Sequence, residues 1–179
     1  MNVYRKPYQY NQWQQPVHWH PHQWQNRHWK HQWTPHYGQM KLKDYGSNPF
    51  VVNIDQATKQ NRNYRTALWT GENLQVTLMS IDVGDDIGLE VHPTTDQFIR
   101  IEEGQGVVQM GESKDNLSFQ QRVYDDYAIM IPAGKWHNVI NTGRRPMKVY
   151  AIYAPPEHPF GTVHETKADA EDYEEQNPY

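Results

Sequence analysis

From Tyr64 to Ala154 the chain is a succession of short segments of alternating or continuous apolar character, each cut off by Gly, Asp, Asn or Pro. RTALWTG and NLQVTLMSIDVG flank the turn Gly71-Glu72-Asn73, and LEVH, QFIRIEEG, QGVVQMG, LSFQQRVY, YAIMIP, WHNVIN and MKVYAIYA follow in order. Runs of this length, rich in β-branched and aromatic residues and bounded by turn formers, favour strands. Many short strands at roughly even spacing point to a closed barrel or jelly roll. No long amphipathic pattern competes, so the expected fold class is all-β. The polar stretch ESKDNL at 112–117 fits a solvated hairpin loop.

The chain contains no Cys, which excludes disulfides, thiolate metal sites and cysteine nucleophiles. P-loop, dinucleotide-fingerprint, serine-elbow and HExxH patterns are absent as well. A metal ion, if one is bound, has only imidazole, carboxylate and amide donors available. No apolar stretch is long enough to cross a bilayer, and no signal-peptide run opens the chain. The expected setting is the cytoplasm, or an assembly built from it.

Two segments carry paired motifs. Gly84 is followed by five residues and then Glu90-Val91-His92; four residues later comes Gln97, and Gly104 lies six residues beyond it. In the second segment Pro132-Ala133-Gly134 is followed by His137 and Asn141, with Asp126 where the leading Gly of the pattern would stand. This pairing resembles the two motifs of the cupin superfamily, over 90 to 100 residues of the chain. The resemblance implies a double-stranded β-helix of the jelly-roll type, pairing of barrels into a homodimer, and a divalent metal (Mn, Fe, Ni, Zn or Cu) inside the barrel. The familiar ligand set is three His and one Glu. Carried over by position, it becomes Glu90, His92, Gln97 and His137, so the first His is replaced by Glu and the usual Glu by Gln. One carboxylate and three neutral ligands remain, although an amide carbonyl is a weaker donor than imidazole or carboxylate.

The residues themselves support the grouping. Glu90 and His92 are two apart on a strand and share a face. Gln97 begins the next strand, and a closed barrel is needed to bring His137 opposite. A hydrogen-bonded polar cluster without metal satisfies the same residues and stays open as an alternative. Asp96 is expected to point away from Gln97. Pro132, Gly134 and Gly104 are expected to shape turns, Asn141 to hold one, and Trp136 to pack at the rim. Trp69, Phe98, Met79, Met110 and Met130 are expected in the core or lining a pocket. Tyr127, Arg100 and Tyr150 are candidates for anchoring or acid-base groups near a cavity, and His158 and His164 for packing over the barrel or at a dimer interface.

Residues 1–46 differ from the rest. Trp13, Trp19, Trp24, Trp29 and Trp33 alternate with Asn, Gln and six His (His18, His20, His22, His28, His31, His36), without a helical or strand period. A mean hydropathy of -1.00 for the whole chain agrees with part of it being disordered. The expected organisation is a disordered low-complexity segment at 1–46, a barrel at 47–164 and an acidic, solvated tail at 165–179 with a short helix at 165–176. The head suits self-association or surface attachment, and its composition resembles that of bacterial spore-coat proteins. The four basic residues of residues 1–40 are too sparse for nucleic acid. Three functions fit: a metal-dependent enzyme on a small molecule, a structural coat protein, and a small-molecule sensor or store.

Overall fold

The computed structural model describes residues 38–176, so the expectations for the Trp- and His-rich segment 1–37 lie outside the described residues. A short helix α1 (Ile54–Gln60) precedes β1 (Arg65–Thr70) and β2 (Gln75–Ile81). Then come β3 (Asp96–Glu103), β4 (Gln105–Gly111), β5 (Phe119–Tyr124), β6 (Ala128–Ile131), β7 (Trp136–Asn141) and β8 (Met147–Ala154). The two-residue β9 (Val163–His164) leads into α2 (Lys167–Gln176). The strands form the expected jelly roll from two antiparallel sheets, one in order β6-β3-β8-β2-β1-β9 and one in order β5-β4-β7. The LEVH segment is not a regular strand. It runs beside β7 with bridges at Asp86–Ile140 and Glu90–His137, because Gly88 at φ 86° turns the backbone between them.

Alternation decides what each strand turns inward. On the large sheet, one end of the barrel carries the opposed residues Gln75, Tyr153 and Gln97. The next level holds Ala67, Thr77, Ala151 and Ile99, and the one beyond it Arg65, Met79, Val149 and Ile101. Met147 and Ile81 close the far end. The interior is therefore polar at one end and apolar at the other. The apolar end belongs to a core cluster that also takes in Val108, Val123, Ile129 and Val139, each buried aliphatic side chain contributing about 1.5–3 kcal/mol.

The outer face of the large sheet is half covered. Leu68 and Leu78 turn outward and are sealed by Met40, Leu42, Tyr45, Phe50, Val52, Ile54 and Ala57. The compositional boundary at 46 is thus too late: Tyr45 donates to the Leu68 carbonyl at 2.9 Å, and Asp44 accepts from Thr70 and Gly161. The apolar Met40, Leu42 and Tyr45 attach this stretch to the sheet. Helix α1 is capped by Asn53, whose side chain accepts from the Gln56 amide at 3.1 Å. The tail is not merely solvated either. The expected helix forms as α2, buries Ala170, and is pinned by Lys167 against Asp85 and Asp86 and by Glu174 against Arg65.

Several side chains face away from the interior. Phe98 and Arg100 oppose Ile152 and Tyr150 on the outer face, Met130 is 65% exposed and Tyr127 45%. Period-two alternation fixes which residues share a face but not which face is inner. Met79 and Met110 do lie in or against the core, Trp69 is half-buried, and Asp96 caps the Ala133 amide from outside, as its expected outward orientation requires.

Two turns explain motif positions. The fully buried Asn141 amide donates to the carbonyls of Ile81, Asp82 and Arg145 and accepts from Gly143, so one side chain ties two turns together. Asp126, which stands in the leading-Gly position, has φ 70°. Asp tolerates this left-handed region better than most residues but not as well as Gly. Asp126→Gly should leave the unfolding midpoint unchanged or raise it. Asp126→Val should lower stability by about 1–2 kcal/mol; urea titrations of the two variants check both.

Candidate metal centre

Glu90 and His137 exchange two backbone hydrogen bonds, 3.0 Å from the Glu90 amide and 2.9 Å from the His137 amide. Residues paired in this way project their side chains to the same face. His92, two positions on from Glu90, joins them. Its carbonyl accepts from the Gly134 amide at 2.8 Å, so the Pro-Ala-Gly turn that precedes His137 is latched directly onto the first motif. The outcome is a compact group at the polar end of the barrel. Glu90 Oε1 lies 3.2 Å from Nε2 of both His92 and His137, and the donor atoms of all three residues lie within 4.8 Å of one another.

The far sides of the two rings determine what the near sides can do. His137 Nδ1 sits 2.9 Å from the Lys135 carbonyl, which only accepts, so Nδ1 carries the proton. His92 Nδ1 sits 3.0 Å from the Glu157 carboxylate. With both Nδ1 atoms donating outward, a neutral ring presents a bare Nε2 lone pair to the center, facing an anionic oxygen. Three electron-rich atoms converging in a buried space require a cation among them, either a proton or a metal ion. The outward hydrogen bonds from imidazole to carbonyl and carboxylate are those that orient metal-binding histidines.

The electrostatics follow the same geometry. Burial would raise the Glu90 carboxyl, but the two imidazoles of His137 and His92 against its oxygen outweigh it and hold the group well below the usual carboxylate range. Burial would lower His92; Glu157 and Glu90 instead carry it up to about 9. Without metal, His92 therefore keeps its second proton at neutral pH and donates to both carboxylates.

Gln97, the fourth expected ligand, is 3% exposed, and its side-chain carbonyl oxygen has no hydrogen-bond partner among the described residues. It opposes Tyr153 across the sheet and shares its inner face; the Tyr153 ring in turn meets the His92 ring edge-on at 5.6 Å between centroids. The carbonyl is therefore an unsatisfied oxygen donor on the correct face, and an unmet buried acceptor of this kind costs about 1–3 kcal/mol. Glu157 has no counterpart in the sequence motifs. The buried Gln75 side chain accepts from the His158 amide at 2.9 Å and donates to its carbonyl at 2.8 Å, which fixes the segment after β8 across the mouth and delivers Glu157 to His92. Only the carboxylate in Pro-Pro-Glu-His-Pro hinted at it. His158 is buried edge-on against Tyr153 with centroids 5.0 Å apart, so it packs over the barrel.

A family model described as a cupin domain matches residues 77–153. YrkC of Bacillus subtilis (strain 168) is 71% identical over 129 residues, covering 72% of this chain and 69% of that protein. A protein of Acanthamoeba polyphaga mimivirus is 38% identical over 115 residues, covering 64% of this chain and 70% of that one. The crystal structure of BH2720 from Bacillus halodurans is similar with a TM-score of 0.73 at 68% identity, over 73% of this chain and 99% of that chain.

The raised His92 makes the metal-free protein sensitive to alkali. Its contribution is fully present below the ordinary histidine value of 6.5 and is lost as pH rises through about 9, whereas the depressed Glu90 contributes above the ordinary carboxylate value of 4.5 and loses its effect only in strong acid. Chelator-treated protein should lose up to about 3 kcal/mol between pH 6 and pH 9.5. Urea titrations at the two pH values measure the loss, and His92→Gln should largely abolish it.

Proposed function

The chain belongs to the cupin superfamily, and on that premise we propose that its barrel binds one divalent transition-metal ion through Glu90, His92 and His137, with the Gln97 carbonyl as a further oxygen donor. The observation that carries this reading is the convergence of two Nε2 atoms on one oxygen of the half-buried Glu90 carboxylate, with both Nδ1 atoms committed outward. Mixed imidazole and carboxylate donors suit borderline ions such as Mn, Fe, Ni, Zn or Cu. Such an ion supplies Lewis-acid or redox chemistry toward a small oxygenated molecule. The chain's own residues hold the imidazoles in one tautomer, neutralise the Glu90 carboxylate and keep the donors in place.

In the same reading, residues 1–46 carry the barrel into an assembly such as a spore coat, from the cytoplasm, and the barrel pairs as a homodimer. Support for the assembly is the composition of the head. No helix among the described residues is long and apolar enough to cross a membrane.

A metal-free reading has one observation in its favour: His92 holds Glu90 at Nε2 and Glu157 at Nδ1, so a doubly protonated ring donates to both carboxylates. Elemental analysis of natively purified, tag-free protein separates the two. About one equivalent of a first-row metal, lost in Glu90→Ala and His137→Ala, is expected. A folded protein that carries no metal and takes none up on reconstitution would sink the metal reading. Glu157→Gln should retain the stoichiometry but weaken metal affinity about 10- to 100-fold, measurable by competition with a chromophoric chelator.

A further inference from the structure

The outer face of the large sheet carries one row without a charge. In register across five strands stand Met130 on β6, Phe98 on β3, Ile152 on β8, Val76 on β2 and Trp69 on β1. The apolar cover over Leu68 and Leu78 reaches Val76 but leaves the row half-buried, and Met130 is 65% exposed. A cleft opens at each end. One, of about 380 Å³, is lined by Phe98, Met130, Pro132 and Ile152. The other, of about 420 Å³, is lined by Phe50, Ile54, Leu68, Trp69, Leu74 and Val76. Both volumes fall in the range of small-ligand pockets, so an aromatic ring fits either.

The second cleft is pre-formed. The Trp69 indole donates to the Asn48 carbonyl at 2.8 Å, and its ring lies so close over Gly71 that no Cβ could stand there. A wall fixed in this way loses little freedom when something binds against it. Asp96 is the one charged side chain among the described residues that line either cleft. An apolar row ending in two clefts is the kind of surface that marks an interaction site.

Spacing and charge identify the occupant. Four strand spacings separate Met130 from Trp69, about 19 Å in all. In residues 1–37 successive Trp stand six, five, five and four positions apart. An extended chain advances about 3.3 Å per residue, so an interval of five or six spans about 17–20 Å. Neighbouring indoles are therefore spaced to enter both clefts at once. Residues 1–37 also hold four of the chain's 17 basic residues and none of its 21 acidic ones, which leaves 13 basic against 21 acidic for the rest. Asp96 at one cleft and the exposed Glu72 after Gly71 at the other supply acids for the Arg27 and Lys30 that flank Trp29.

We infer that this row is the docking surface for the Trp-rich segment 1–37 of a second copy, with two successive Trp filling the two clefts. The inference rests on the reading that this segment carries the barrel into an assembly, and it names the surface gripped. Two linked contacts reinforce each other, so losing either cleft weakens docking strongly. The two surfaces differ, so the contact is heterologous and lets copies add in succession.

The test uses the full chain with Trp13, Trp19, Trp24, Trp29 and Trp33 each replaced by Ser. A synthetic peptide of residues 16–32, which carries Trp19, Trp24 and Trp29, is titrated into it with a chelator present to exclude metal bridging through His. Calorimetry should show binding that weakens at least about tenfold when Met130→Lys or Leu74→Lys puts an ammonium group in either cleft. A peptide keeping only Trp24 should bind weaker by a similar factor, because one cleft stays empty. In the unaltered chain, self-association followed by sedimentation should rise with concentration, fall with salt and be reduced by both Lys substitutions.

Peptide binding that survives both substitutions, or that the single-Trp peptide equals, would overturn the inference. An unaltered chain that stays one size at every concentration and refuses the peptide covers its own row, which overturns the second-copy assignment. Self-association lost with the five Trp but kept in Met130→Lys and Leu74→Lys overturns the surface and leaves the assembly reading standing. If neither barrel variant folds, the single-Trp peptide decides.

Discussion

A carboxylate taken out of water at the mouth of a barrel must be neutralised, since an unpaired buried charge costs several kcal/mol. Glu90 is that carboxylate, and the surrounding structure follows from satisfying it. The peptide pairing with His137 supplies one imidazole, the irregular segment ending in His92 supplies the other, and the Gly134 latch keeps the two motifs in register. A second layer then serves the first: Lys135 and Glu157 orient the rings, and Gln75 orients the segment bearing Glu157. Few of these contacts stand alone. Removing one leaves another polar group unpaired in a place water reaches poorly, which makes the network rigid when complete and costly when broken.

The interior separates two tasks along its axis. Met79, Ile81, Ile99, Ile101, Met147 and Val149 fill the end away from the metal centre and provide hydrophobic stability. The opposite end gives up that gain to hold Gln75, Gln97, His92 and His137. An unsatisfied polar atom such as the Gln97 carbonyl is tolerated at one end because the other is packed mainly with aliphatic side chains. Such local departure from good packing is where binding sites are expected.

The strands were legible because their signals are local: alternation between Gly, Asp, Asn and Pro turns is written residue by residue. The fold class follows from their number and spacing, and the grouping of Glu90, His92 and His137 from motif spacing. What depends on long-range partners was not legible. Met130, Arg100 and Tyr150 share the outer face with Phe98 because alternation has no sign until the sheets close. Met40, Leu42 and Tyr45 were grouped with the head by composition, although their apolar side chains belong to the cluster over Leu68 and Leu78. Glu157 depends on Gln75, more than eighty positions earlier. Arg65 opens β1, and only the closed barrel, with α2 laid across it, makes it a buried cation.

The outer edge of β1 is sealed by pieces from both flanks of the chain. Val163 and His164 pair with Thr66 and Arg65, the Thr162 carbonyl accepts from Ala67, and the Tyr45 amide donates to Leu68. On a ribosome the Tyr45 side of that seal emerges first, and the rest only after about a hundred further residues of synthesis. Until then β1 travels with part of its edge open, the condition in which strands recruit neighbours from other chains. The nascent barrel can begin at the β1–β2 hairpin, but it closes only when β9 has left the exit tunnel. The interval before closure is the period in which this chain depends most on being kept apart from its copies.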